Sequence, residues 1–422
     1  MKLSVINVKK PQTIQCAYID FDSFFASVEE QARPSLRGRA IGVTPFEHAT
    51  HTCVIAANKI AKQAGVKTGM AVTEAKRLCP SIALVPQSPD LYVRAHRTFL
   101  LAIEQELPVD AICSIDELSC RLDNAAIDNP QELAARIKAR LVQKIGPYIT
   151  CSIGMAPNRQ LAKIASDMDK PNGVTILRPE DLPGRLLDLE LGDLPGIGSR
   201  MRTRLNIAGI GSVDDLWHAS PKHLRALWGN VNGERFWYAL HGYEIEADVT
   251  QRQMFGHGRV LPPEWRDVGH AWQCAKLLTI KAARRLRRAG LLARRFGLWI
   301  HMRDDNWSGE FHLDYASDDQ ACVAALGQLW LRMQREIPKG AKIIRLHVAM
   351  FNLVPFDQLQ LDLFAPDRTE RMKWEKLSTA MDRINARYAK TLVSLGPWTQ
   401  PPGGYAGGKI AFSRVPDMED FW

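Results

Sequence analysis

The stretch AYIDFDSFFASVEE, residues 17–30, decides the fold. Its apolar start, Ala17-Tyr18-Ile19, reads as a buried strand, yet the run ends in Asp20-Phe21-Asp22, and the aromatic pair Phe24-Phe25 follows at once. Charged groups at a buried strand end are costly unless solvated, paired or bound to cations. Alternation about Phe21 puts Asp20 and Asp22 on one face if the strand continues. A second acidic pair, Asp116-Glu117 in CSIDELSC, closes another short apolar run, Ala111-Ile112-Cys113. If the two strand ends are neighbours, their oxygens converge on a site suited to Mg²⁺, which takes few protein carboxylates and completes its shell with phosphates and water. Two such ions about 4 Å apart serve phosphoryl transfer. The alternative is that each pair caps its own strand and faces water.

The rest of the chain frames that choice. At 422 residues it is too long for one ordinary core. Its net charge of +9 favours an acidic partner, most simply nucleic acid. The eight cysteines are scattered with no C-x-x-C pair, which argues against a structural zinc site and a disulfide framework and for reduced thiols in the cytosol. The N-terminal residues lack a signal pattern, and no run of about 18 apolar residues occurs, so a cytoplasmic protein with no membrane partner is expected.

Residues 14–178 alternate strand-like runs (Cys16–Ile19, Ile82–Val85, Ala111–Ser114, Leu118–Leu122, Thr150–Gly154) with helical patterns, an α/β arrangement. Residues 180–245 read as short helices punctuated by glycine, and 246–256 as a polar linker. An α+β pattern returns over 257–355. A helix is expected from about Arg368 to Arg387, followed by an extended tail rich in proline and glycine.

YIDFDSFFASVE, then SIDE, then SIGMAPNRQLAKIASDMDKPNG, in that order, resemble the Y-family DNA polymerases, the translesion group that includes the polymerase IV and UmuC types. The resemblance runs over most of residues 14–355. It implies a right-hand polymerase: palm at 14–23 and 88–178, small fingers at 24–87, a helix-hairpin-helix thumb at 179–245, a little finger at 257–355, and a clamp-binding motif with tail at 356–422. It implies template-directed addition of dNTPs to a primer 3′-OH, with bypass of damaged template bases. Asp20, Asp116 and Glu117 would hold two Mg²⁺ ions, Mn²⁺ being a substitute, with the Phe21 carbonyl as a further ligand and Asp22 in the neighbourhood. Phe25 would be the steric gate against a 2′-OH, while Phe24 is core.

The same resemblance assigns Lys59, Lys62 and Lys170 to the triphosphate. Many members carry tyrosine and arginine where this chain has Lys59 and Lys62, so a point charge replaces a planar fork. LPGIGSRMRTRLNIAGIGSVDDL (194–216) is a helix-hairpin-helix pattern: Gly196 and Gly198 let backbone N–H groups approach a phosphate, and Arg200 adds charge. In KAARRLRRAGLLARRFGLWIHMR the arginines Arg284, Arg287, Arg288, Arg294 and Arg295 are expected on DNA, with Arg284, Arg287 and Arg288 along one helix face. QLDLF, with Gln360, Leu361, Leu363 and Phe364, resembles the bacterial sliding-clamp-binding pentapeptide. An accessory subunit or recombinase filament is a further candidate partner, and association with the nucleoid is expected. The competing readings are a non-catalytic, clamp-tethered DNA-binding accessory protein and a nucleotide cyclase with palm-like chemistry.

Overall fold

The structure is a computed structural model; it describes residues 9–45, 47, 52–245, 252–303, 305–358, 369–396 and 415–416. The chain divides after Asp248 into two compact units. The first contains strands β1 (Cys16–Phe21), β2 (Ile41–Thr44), β3 (Ala56–Ala57), β4 (Ala83–Pro86), β5 (Val109–Ile112), β6 (Glu117–Arg121), β7 (Cys151–Ala156) and β8 (Val174–Ile176). Five of these form one sheet in the order β5-β6-β1-β7-β8, antiparallel except for β7 and β8.

β1 lies at the centre of that sheet, so both its faces must be apolar or paired. Phe21 is buried and stacks on Phe99 of helix Pro89–Ile103, ring centroids 4.2 Å apart. Burying such a ring is worth roughly 2 kcal/mol, which fixes that face of β1 inward. Tyr18 and Asp20 therefore point to the opposite face. Helix Arg159–Met168 lies there, across β7 and β1. Gly154 on β7 allows that approach, because a Cβ at this position would fall 2.0 Å from the Ala162 carbonyl oxygen. Asn158 caps the helix through Leu161 N–H and also donates to the carbonyls of Ala239 and Tyr243, tying the sheet to the helices that follow.

A smaller sheet, in the order β3-β2-β4, is built between helix Phe24–Ala32 and the short helices Lys59–Gln63 and Val72–Leu78. Beyond the main sheet, helices Ser199–Ile207, Val213–His218, Pro221–Trp228 and Val231–Leu240 pack around Leu205, Leu216, Leu224 and Leu240. The second unit has β9 (Met254–Val260), β10 (Leu291–His301), β11 (Asn306–Ala316) and β12 (Arg345–Pro355), all antiparallel in the order β11-β10-β12-β9. Helices Val268–Arg288 and Asp319–Glu336 share its core. Helix Thr369–Tyr388, close to its expected bounds, packs against Asp319–Glu336.

One expectation is corrected in detail. The acidic pair was read as closing the run Ala111-Ile112-Cys113, but β5 stops at Ile112 and the chain reverses over 113–116. The N–H groups of Cys113 and Ser114 both donate to the Glu117 carbonyl, at 2.9 and 3.0 Å. Asp116 therefore sits on the hairpin turn, and Glu117 opens the returning strand.

Candidate active site

Strand register brings the carboxylates together. Asp20 on β1 pairs directly with Glu117 on β6 and, on its other side, with Ser152 on β7. Residues opposed in this way have Cβ atoms about 5 Å apart, and like charges so placed oppose folding. The Phe21 N–H donates to the Asp116 carbonyl at 2.9 Å, which fixes the hairpin turn against the end of β1. Asp20, Asp116 and Glu117 thus meet across two adjacent strands.

Each carboxylate has its own partner. Asp20 is only 7% exposed, and its Oδ2 lies 2.7 Å from Lys170 Nζ, which also reaches Asp167 at 2.6 Å. Burial pushes the Asp20 carboxyl up to about 7 despite the pull of Lys170. Burial also raises Asp116, against the hydroxyl that Ser114 donates to it. Burial would raise Glu117 too, but Lys163 and Tyr18 hold it below the usual carboxylate range. Lys163 Nζ donates to Glu117 Oε1 at 2.5 Å, and the Tyr18 hydroxyl donates to Oε2 at 3.0 Å. For Lys170, burial is outweighed by Asp20 and Asp167, and its ammonium is held above the usual lysine range.

This donor set fits divalent cations. Three carboxylates confront two ammonium groups, and burial raises two of the three, the state a hard cation would relieve. Among the described residues no three acidic, histidine or cysteine side chains converge at metal-ligand spacing. Asp22 plays another part. β1 ends at Phe21, and both Asp22 oxygens are engaged: Oδ1 by Ser152 and Oδ2 by Thr150 and the Asn172 N–H, each at 2.8 Å. It fastens the loop that carries Lys170 to β7.

Phe24 is buried among Phe21, Tyr92 and Phe99, as a core residue should be. Phe25 is only half-buried and stacks on Tyr92, with centroids 4.5 Å apart and planes 16° from parallel. Lys59 and Lys62 are exposed on helix Lys59–Gln63, and neither side chain is bonded to a described residue. Buried Asn58 fixes that helix by accepting from Ile41 and Ala61 N–H groups and donating to Glu30 and the Arg39 carbonyl.

In the helical segment Gly196 has φ +98°, a conformation that excludes ordinary side chains, and Gly198 is the N-cap of helix Ser199–Ile207. No side chain caps that helix, whereas Ser212 and Asp215 form a capping box on the next one. Exposed Arg200 lies in the first turn beside the uncapped N–H groups.

The arginines of the second unit divide into two groups. Arg287, 9% exposed, donates to Asp382, Asp319 and the Ser317 carbonyl. Arg284 also pairs with Asp382. These two are spent on helix Thr369–Tyr388, which corrects the expectation that Arg284, Arg287 and Arg288 present a common charged face. Arg288 is exposed. Arg294 and Arg295 are both exposed because β10 is irregular between Ala293 and Arg295. Arg294 lies over the Tyr315 ring, and Arg295 pairs with Glu310 at 2.7 Å. Gln360, Leu361, Leu363 and Phe364 lie outside the described residues.

Lys163 and Tyr18 escaped the sequence reading as site residues. A lysine on an amphipathic helix reads as solvated, and a tyrosine in an apolar run reads as core; only the shared strand face of Tyr18 and Asp20 hinted otherwise.

Residues 19–167 match a family model described as the impB/mucB/samB family, and residues 252–363 match its C-terminal domain. Residues 192–244 match the thumb domain of DNA polymerase-iota. DNA polymerase IV of Bacillus velezensis is 30% identical over 390 residues, 90% of this chain and 92% of that one. Among solved structures, a Y-family DNA polymerase chimera superposes with TM-score 0.69 at 26% identity, over 81% of this chain and 99% of its own. The insertion ternary complex of Dbh DNA polymerase matches with TM-score 0.54 at 27% identity, over the same shares. DNA polymerase IV of Moorella thermoacetica is 31% identical over 386 residues, 89% of this chain and 93% of that one, and at that likeness the chain belongs to the Y-family DNA polymerases as a DinB-like member.

Proposed function

We propose that this translesion-type polymerase extends a primer at the junction of β1 and β6, with Asp20, Asp116, Glu117 and the Phe21 carbonyl holding two Mg²⁺ ions, or Mn²⁺ in their place. The observation that carries this reading is the direct pairing of Asp20 with Glu117, with Asp116 bonded to the same strand end. The chemistry such ions supply is Lewis acidity toward an attacking primer hydroxyl and a departing pyrophosphate. The chain's own residues do the rest. Phe25, backed by Tyr92, closes the space beside the nucleotide sugar and excludes a 2′-OH. Lys170, with Lys62 and Lys59, supplies positive charge for a tetra-anionic triphosphate. Lysine in place of a planar fork gives charge without bidentate geometry.

Primer-template DNA is held through phosphates, which suits an enzyme that must accept any sequence. The uncapped helix at Gly196 and Gly198, with Arg200, is one contact. Arg288, Arg294 and Arg295 are the others, and Arg284 and Arg287 support the domain instead. The QLDLF segment is read from sequence alone as a tether to the bacterial sliding clamp. No helix among the described residues is long and apolar enough to cross a membrane. A cytoplasmic, nucleoid-associated site of action accords with a DNA substrate.

The test is primer extension with purified protein. Mg²⁺ and a template should be required, each added base should follow the template, and Phe25→Ala should admit ribonucleotides at least about tenfold more readily while dNTP use continues. Unchanged ribonucleotide rejection by Phe25→Ala would remove the gate assignment.

A further inference from the structure

Glu117 is gripped from two elements remote from it in sequence. Lys163 Nζ donates to its Oε1 at 2.5 Å and the Tyr18 hydroxyl to its Oε2 at 3.0 Å. Lys163 also donates to the Tyr18 oxygen at 3.3 Å, with its ammonium 5.2 Å from the centre of the Tyr18 ring. The three side chains close a hydrogen-bonded ring that joins β1, β6 and helix Arg159–Met168. Of the other two carboxylates, Asp20 is held by Lys170 and Asp116 by Ser114.

This arrangement is not a default of the helix. Leu161, Ala162, Ile164 and Ala165 are buried around Lys163, and a lysine in such a place ordinarily extends its stem to put the ammonium in water. Here the side chain is 29% exposed and turned to the carboxylate. A carboxylate has about four acceptor positions on its two oxygens, so two donors stop its rotation and leave capacity for a cation.

We propose that Lys163 and Tyr18 are positioning residues that bracket Glu117 and hold its carboxylate in the orientation from which it takes up a divalent cation beside Asp20 and Asp116. The inference rests on the reading that Glu117 is a cation ligand. Partners that orient a ligand commonly change metal affinity or activity by 10–100-fold when removed.

The test is Mn²⁺ binding by the full chain, read by electron paramagnetic resonance of free Mn²⁺, with a dideoxy-terminated primer-template and the next dNTP, so that no turnover occurs. Lys163→Met should raise the half-saturating Mn²⁺ concentration about tenfold or more, and Tyr18→Phe, which keeps the ring in place, severalfold. Lys163→Arg should restore part of the loss. DNA affinity by fluorescence anisotropy should stay within about twofold of wild type, which separates a local effect from misfolding. Mn²⁺ binding by both Lys163→Met and Tyr18→Phe as tight as wild type, or tighter, overturns the bracket. Glu117→Gln separates the two levels. If it too binds Mn²⁺ normally, the ligand assignment is what fails; if it alone loses Mn²⁺, only the bracket fails.

Discussion

Asp20 shows what the site demands of a single residue. Burial raises its carboxyl from an ordinary 3.8 to about 7 against the pull of Lys170. A raised acid stabilises the fold below its unfolded value, and that contribution is lost as pH climbs through the folded value. In EDTA, Asp20→Asn should therefore gain on wild type between about pH 4 and pH 7, by on the order of 2 kcal/mol in chemical denaturation. Parallel stability profiles for the two proteins would show that the burial cost is not felt. The two acidic pairs were legible in the sequence as charge at the ends of apolar runs, but the choice of Asp20, Asp116 and Glu117 over solvated strand caps came from the family resemblance. Lys163 and Tyr18 were not legible, since each has an ordinary role in its local pattern, and only the register of β1, β6 and the crossing helix brings them to Glu117.

At the scale of elements, the arginine-rich segment shows what composition leaves open. Its charge density pointed to DNA, but helical spacing does not say which arginines meet an acid from a helix about a hundred residues away. Asp382 neutralises Arg284 and Arg287, and Ser378 on the same helix accepts the Asp319 N–H. Removing one partner of a buried ion pair leaves an uncompensated charge, so Asp382→Ala should destabilise the second unit by about 3 kcal/mol in urea unfolding. A change below about 0.5 kcal/mol would mean that helix Thr369–Tyr388 is not an integral part of that unit. Arg294 and Arg295 should behave in the opposite way. Their joint replacement by alanine should leave stability unaltered and flatten the dependence of log DNA affinity on log salt by about 2. A slope equal to that of wild type would remove them from the DNA interface.

Across the whole molecule, the alternation of strands and helices was visible in the chain, but the stretch read as a polar linker over 246–256 gives its end, from Met254 on, to strand β9. Strand order was not visible. Hydrophobic period marks a strand but carries no record of its neighbours, and β5-β6-β1-β7-β8 is set by which hairpins and crossovers close. That order is what makes β1 central and places Asp20 opposite Glu117. Membership of the Y family accords with such a centre, at which the carboxylates are proposed to carry the chemistry while DNA is held elsewhere. Primer extension and DNA anisotropy measured together on the double variant Asp116→Ala, Glu117→Ala test this most directly. Extension should fall by about 10³-fold or more with DNA affinity within about threefold of wild type; extension at a rate near wild type would mean that these carboxylates do not carry the chemistry.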